Sequence, residues 1–400
     1  MWLCCCGGGT WYALAKCGSD GVVDWAVTAA GSTTGASTQS GAGAFFDIGV
    51  DSSDNIYGLS NRDENDNTGN SGSFRPFYTI HKFNSSGVRQ WTVDLNDDTP
   101  SGASQTSNAA FTVDSSGNSY VIWTGTSGSP SFTPKSWVVR YNSSGSVSWT
   151  SPEIIAEIET QVGTTTDQQS VDLSTITKSV VVHIQVDSTG VFCWFGDGVE
   201  VGDGDYYFSG VELDASDGSF VRTYTAFDVS SSPARSDKFQ CRNNGSFVLS
   251  DGSFYSAIED GSTGDIVKNT SSELLDWSAN VSHTITGARL GEGRGSAVLD
   301  PSDRLWIKGS TGLDYYAAST GTKTNLSSIG TPKHLSFKSS GNLLLTVTSL
   351  ESGWTYPHQE LNISGTQIRE FEYGDVTGNL GMIRAMSSDE VAIATVAEIA

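Results

Sequence analysis

Residues 82–91 read KFNSSGVRQW, residues 140–149 read RYNSSGSVSW, and residues 16–25 read KCGSDGVVDW. Each runs from a basic residue through a small polar cluster ending in Gly, and then to a tryptophan: Trp91, Trp149 and Trp25. Such clusters mark tight turns, because Gly accepts positive φ while Asn and Asp bond their own backbone. Apolar and β-branched residues on both sides make each stretch a hairpin. The chain therefore opens on a hairpin that later belongs to a longer unit.

A second hairpin alternates with this one. Its clearest copy is FTVDSSGNSYVIW at residues 111–123. Related stretches start at Asp47, His183, Lys238, Ala297, Leu335 and Ile383, with turns expected at Asp51, Asp114, Asp187, Asn243, Asp300, Lys338 and Ser387. The opening type continues from Val211, Ser256, Tyr316 and Gln359. At the tryptophan position these later copies are read as carrying Arg222, Lys268, Asn325 and Arg369.

Two hairpins in series make a four-stranded antiparallel sheet, and a repeat of roughly 40–70 residues with four strands is a propeller blade. Both hairpin types occur seven times, but the first copy of one opens the chain and the last copy of the other ends it. The reading is an all-β seven-bladed β-propeller of four-stranded antiparallel blades. The N-terminal and C-terminal strands share one blade and close the ring, because pairing them leaves no half-sheet with an open edge. Residues 1–10 are expected to form a Cys/Gly arm and residues 11–400 a single propeller domain. Residues 152–178 are read as a loop insertion in which residues 154–162 form a short helix or a detour strand.

Forty-five acidic residues against 22 basic give a net charge of −23, dispersed along the chain. That excludes duplex nucleic acid as a partner, since phosphate binding needs a basic footprint. No long apolar run is present, so no membrane span is expected. The start, MWLCCCGGG, lacks the basic and apolar regions of a secretory signal. Three adjacent cysteines do not match a tetrahedral zinc pattern. Cys4, Cys5 and Cys6 are read instead as an anchoring arm.

WYALAKCGSDGVVDWAV, from Trp11, resembles the PQQ-like propeller repeat, whose cadence is Y-A-L-D-x-x-T-G-x-x-x-W. The DSSGN hairpins are similar to SBBP- and NHL-type repeats. DPSDRLWIKGSTGL, from Asp300, is similar to the propeller repeat of sensory two-component regulators. These resemblances imply the architecture and leave activity open, because propellers host enzymes, binders and scaffolds alike.

No quinone-binding set and no Asp-box is recognisable. Two loops gather acid with glycine: residues 196–208, with Asp197, Glu200, Asp203 and Asp205, and residues 61–70, with Asp63, Glu64 and Asp66. Oxygen-rich flexible loops suit Ca²⁺, and the first set is the candidate metal site, although neither matches an EF-hand loop. Otherwise no cofactor is expected. His81, His183, His283, His334 and His358 form no H-x-H or H-E-x-x-H pair. A Ser-His-Asp triad remains open in so Ser-rich a chain, though no G-x-S-x-G elbow is present. The sequons at Asn84 and Asn142 fall on turns and read as turn chemistry.

Trp354 and Tyr356, in SGWTYPH, are candidates for stacking on sugar rings. The functional expectation is a non-enzymatic interaction protein of a phage virion, at the tail or capsid surface. It would reach other virion or surface proteins through the arm and host polysaccharide through its loops. The alternatives are a secreted or envelope binding module at the cell surface, and a propeller enzyme acting on carbohydrate.

Overall fold

The computed structural model describes residues 10–19, 22–28, 44–64, 75–95, 104–127, 133–154, 157, 181–187, 190–201, 206–228, 247–259, 264–272, 275–280, 297–309, 312–329, 332–338, 340–347, 358–371, 380–386 and 390–398. These form seven four-stranded antiparallel sheets, the blade set of a seven-bladed β-propeller. They fall into two compact units.

The first unit spans residues 1–99, 115–117 and 330–400. One of its sheets joins the two ends of the chain: β1 (Thr10–Cys17) and β2 (Val23–Thr28) pair with β27 (Leu380–Ala385) and β28 (Val391–Glu398), in the order β2-β1-β28-β27. The central β1–β28 register runs without interruption from Thr10 opposite Glu398 to Cys17 opposite Val391. The expected sharing of one blade by both termini is therefore observed. The unit's other sheets are β3 (Ala44–Val50), β4 (Ile56–Glu64), β5 (Arg75–Phe83) and β6 (Arg89–Asp94), and β23 (Pro332–Phe337), β24 (Leu343–Val347), β25 (His358–Leu361) and β26 (Gln367–Phe371).

The second unit spans residues 100–114 and 118–329. Its first sheet holds β7 (Ser104–Val113), β8 (Ser119–Ser127), β9 (Thr133–Tyr141) and β10 (Val147–Thr150), and its second holds β11 (Val181–Val186), β12 (Gly190–Val201), β13 (Tyr206–Asp214) and β14 (Phe220–Asp228). The third comprises β15 (Phe247–Val248), β16 (Phe254–Glu259), β17 (Gly264–Asn269) and β18 (Leu275–Asn280). The fourth comprises β19 (Ala297–Leu299), β20 (Leu305–Gly309), β21 (Gly312–Tyr316) and β22 (Lys323–Leu326).

Alternating apolar residues on the inner strands fill the spaces between neighbouring sheets. In the first unit, Leu14, Met386 and Ala392 of the terminal sheet pack on Phe45, Ile48, Ile56 and Phe83, while Cys17, Val391 and Ile393 on its other face meet Leu344. In the second unit, Ile122 and Val138 meet Ile184 and Val211, Tyr224 meets Phe254, and Tyr255 and Ile266 meet Leu305 and Tyr316. Most of these side chains are fully buried, each stabilising by about 1.5–3 kcal/mol.

The count of seven stands, but one sheet corrects where its hairpins fall along the chain. The turn expected at Asn243 lies outside the described residues, and the first hairpin of that sheet turns at Leu249, whose N–H bonds the Ser253 carbonyl at 2.8 Å. Residues 256–269, read as the second hairpin, are instead the pairing of β16 with β17. The second hairpin follows Asn269, so Trp277 occupies the tryptophan position and pairs with Lys268. Clusters at residues 243–245, 250–252 and 260–263 all carry turn chemistry, so local signals could not choose among them. The insertion begins with helical geometry at Ile154 and Glu157, where Glu157 N–H bonds the Glu153 carbonyl at 3.1 Å and Ile154 is buried in the core.

Candidate functional site

In the six sheets built from four consecutive strands the first and third connections lie at one end and the middle connection at the other, as a four-strand meander requires; in the seventh, β1 and β28 pair with no connection between them. The first and third connections are tight. Asp51 Oδ1 accepts from the N–H groups of Ser53 and Asn55, and its Oδ2 accepts from Asn55 Nδ2 and Tyr57 Oη. Asp114 repeats this with Asn118 and Tyr120. Asp300 does so with Ser302, Arg304 and Trp306 Nε1. In the third connections, Asn84, Asn142 and Asn362 each accept two backbone N–H bonds from the residues two and four positions on. The turn aspartates and the sequon asparagines Asn84 and Asn142 thus fix their own turns.

The outer strand of one sheet reaches the third connection of the next. Trp25 Nε1 donates to the Ser85 carbonyl (3.1 Å), Trp149 Nε1 to Ala215 (3.3 Å) and Trp277 Nε1 to Ala318 (3.0 Å). Each indole lies flat against a glycine of positive φ: Gly87, Gly218 and Gly321 respectively. A Cβ at any of the three would sit under 3 Å from the indole ring. Gly is needed there for the backbone and again for the ring.

Where arginine replaces tryptophan, the contact persists in another chemistry. Arg222 Nη1 donates to the Ser271 carbonyl (3.2 Å), and Arg369 Nη1 to that of Ser19. The cross-strand partner changes with it. Tryptophans stand opposite Lys16, Lys82, Arg140 and Lys268, whereas Arg222 stands opposite Glu212 and Arg369 opposite Glu360. Asn325 faces Asp314 and donates to it at 2.6 Å. A carboxylate on the half-buried inner strand needs a cation or an amide beside it, and the aliphatic stem of a lysine or arginine accepts an indole.

These buried charges are paired. Lys16 bonds Glu390 (2.8 Å) and Asp24 (3.3 Å). Burial works against its charge, but those two carboxylates outweigh it and raise its pKa. Glu360 holds Lys338 (3.5 Å), Asn342 (2.8 Å) and Arg369. Glu212 accepts from Arg222 Nε (2.9 Å) and Tyr224 Oη (2.7 Å); burial first, then that carboxylate, drives the phenol pKa upward. Cys193 is buried, and burial alone pushes its thiol pKa far up, which makes it unreactive.

One serine meets a histidine. Ser60 Oγ lies 2.9 Å from His81 Nε2, and Thr92 Oγ1 lies 3.3 Å from Nδ1. The position a triad gives to a carboxylate is held here by a threonine hydroxyl. Both Ser60 and His81 are buried. Burial first, with the charge of Arg89 second, lowers the imidazole pKa from 6.5 to about 4. A neutral ring could accept the serine proton.

Among the sequence-derived candidates, Asp197 and Glu200 lie within β12, with Val199, Glu200 and Val201 opposite Phe208, Tyr207 and Tyr206. The strand pair extends further into the acidic stretch than expected, as far as Val201 opposite Tyr206. Asp203 and Asp205 are outside the described residues. Likewise Asp63 and Glu64 belong to β4, opposite Pro76 and Arg75, and Asp66 lies outside. Trp354, Tyr356, Cys4, Cys5 and Cys6 also lie outside the described residues. Among the described residues no group of three or more His, Cys, Asp or Glu side chains is arranged to hold a metal ion. No helix there is long and apolar enough to cross a membrane. Trp277 and His81 are what sequence reasoning missed. Trp277 carried a signal in KNTSSELLDW, a degenerate copy of the opening cadence.

At the level of fold the chain is a β-propeller protein. Solved structures to which it is similar include the Dos1 propeller, at 8% identity and a TM-score of 0.45 over 88% of this chain and 78% of that one. A putative 6-phosphogluconolactonase from Bacteroides uniformis aligns at 11% identity and a TM-score of 0.44, over 96% of this chain and 99% of that one. A prolyl endopeptidase aligns at 10% and 0.46 over 86% of this chain and 45% of its own length. None of these likenesses bears on activity or partners. No protein-family model matches the chain, and no curated protein matches it.

Proposed function

We propose that this chain is a non-enzymatic interaction scaffold of a phage virion, at the tail or capsid surface. It is anchored to neighbouring virion proteins through Cys4, Cys5 and Cys6 and meets host polysaccharide with the loops around Trp354 and Tyr356. The observation that carries the reading is the employment of polar side chains in the described sheets. Turn aspartates bond their own turns, the inner-strand carboxylates bond cross-strand cations, and the Ser60–His81 pair is buried. Such a frame suits display of variable loops rather than bond chemistry. The dispersed charge of −23 disfavours self-association and fits an exposed, repulsive surface.

The test is a host-polysaccharide and glycan array run with the full chain, alongside a panel of glycoside, ester and peptide substrates. Binding without turnover, weakened by Trp354→Ala, is expected. Turnover abolished by a single carboxylate substitution would replace the proposal with an enzyme. Silence on the array, with the chain absent from purified particles by mass spectrometry, would end it.

A further inference from the structure

The residue preceding the inner-strand charge of the tryptophan cadence is Ala15, Val139, Val211, Val267, Leu313 or Gln359 in six sheets, and all six are buried. In the seventh it is His81. The repeat asks for an uncharged, mostly aliphatic side chain there, and His81 is the departure. Its face of the sheet packs against the sheet shared by the two chain ends. Gly58, paired with His81, lies where an added Cβ would come 3.4 Å from Leu14. The ring meets Phe45 edge-on at 5.6 Å and stacks on Phe83 at 6.3 Å, and Phe83 in turn lies 6.1 Å from Trp25.

We propose that His81 is an acid sensor for the contact between these two sheets: when its ring takes up a proton, the sheet formed by the chain ends releases its neighbour. The step is a proton transfer from solvent to whichever ring nitrogen lacks one. The ring then carries two N–H donors, and Ser60 Oγ and Thr92 Oγ1 must both accept. Ser60 Oγ has the Thr79 carbonyl (3.4 Å) as its own acceptor, so its proton keeps a partner after this rearrangement. Hydroxyls hold a cation less well than a carboxylate does, and the surroundings are aromatic and aliphatic. Arg89 on β6 adds repulsion. On the facing sheet, the described side chains of Asp24 and Glu390 are both paired with Lys16.

Because the folded pKa is depressed from 6.5 to about 4, the stability contribution of the neutral ring is complete above 6.5 and is lost as pH falls toward 4. The full shift corresponds to about a 300-fold weakening of the closed contact once the ring is charged.

Hydrogen exchange by mass spectrometry on the full chain, stepped from pH 7 to 3.5 and corrected for intrinsic rates, tests this. Protection of Val23–Thr28 and Ala44–Val50 is expected to fall below about pH 5, ahead of the β23–β26 sheet, and to persist in His81→Gln, which keeps both hydroxyl partners and cannot charge. Equal acid loss in both proteins would overturn the proposal. If His81→Gln does not fold, the ring of His81 followed by NMR in the natural chain decides. Titration near 4 together with loss of protection supports the sensor, and titration near 6.5 with protection intact refutes it.

Discussion

Placing a methyl group on Gly218 would strike two features at once. Its φ of 77° lies in the left-handed region, where any residue with a Cβ is strained by about 1–2 kcal/mol. The same Cβ would also sit within 3 Å of three ring atoms of Trp149, so the indole must move. Moving it breaks the Nε1 bond to the Ala215 carbonyl, worth about 0.5–1.5 kcal/mol net, and loosens its edge contact with Tyr120 at 6.0 Å, worth about 0.5–1.5 kcal/mol. Gly218→Ala is therefore expected to destabilise by about 3 kcal/mol. Gly341 supplies the control, since its φ is 84° but an added Cβ would meet nothing within 4 Å. Gly341→Ala should show the backbone strain alone, about 1–2 kcal/mol. Urea unfolding followed by tryptophan fluorescence and circular dichroism measures both. A gap of at least about 1 kcal/mol is expected, and it should close when both glycines are compared in a Trp149→Leu background. Equal losses in the natural background would refute the claim that the indole latch needs glycine beneath it.

The exchange of charge beneath the latch predicts coupling. Arg222→Trp alone leaves Glu212 buried without its cation and should destabilise by about 2–4 kcal/mol, whereas Glu212→Lys with Arg222→Trp recreates the tryptophan form and should recover most of that loss in a double-mutant cycle. Asp303 is held at a φ of 59° with a pKa raised by burial first and then by Asp251 and Asp300, so its charged form is disfavoured by folding. Its favourable contribution is present at low pH and is lost as pH rises through the folded pKa. Asp303→Asn should accordingly raise the thermal midpoint at pH 7 and lose that advantage on acidification; a midpoint gain unchanged from pH 7 to 3 would count against this account.

The tight turns made the fold legible. KFNSSGVRQW and FTVDSSGNSYVIW state their hairpins because Asn84, Asp114 and the following glycines fix backbone geometry through bonds within five residues. Sharing of a sheet by the termini was legible by counting, since an unpaired half-unit stood at each end. The hairpins of the third sheet of the second unit are not legible, because turn-forming clusters crowd residues 243–263 and only pairing across the sheet selects among them. The exchange of Lys–Trp for Glu–Arg could have been seen in the sequence once the register was known, and it explains why Arg222 and Arg369 depart from the tryptophan cadence. His81 was unreadable as a site, because its partners Ser60 and Thr92 lie 21 and 11 residues away on other strands. Residue type alone marks the acidic and aromatic loop candidates in the sequence. For Asp197 and Glu200, pairing of β12 with β13 converts what looked like a flexible acidic loop into strand.

The most direct test of the account concerns the pairing of β1 with β28. Lys16 Nζ and Glu390 Oε1, from opposite ends of the sequence, are 2.8 Å apart. A zero-length carbodiimide should join them as an amide, detected by mass spectrometry after proteolysis. Lys268 and Asp276, at 3.1 Å within one hairpin, serve as the internal standard. Both linkages are expected in the monomeric band. Formation of the Lys268–Asp276 amide without any Lys16–Glu390 product would contradict the pairing of β1 with β28.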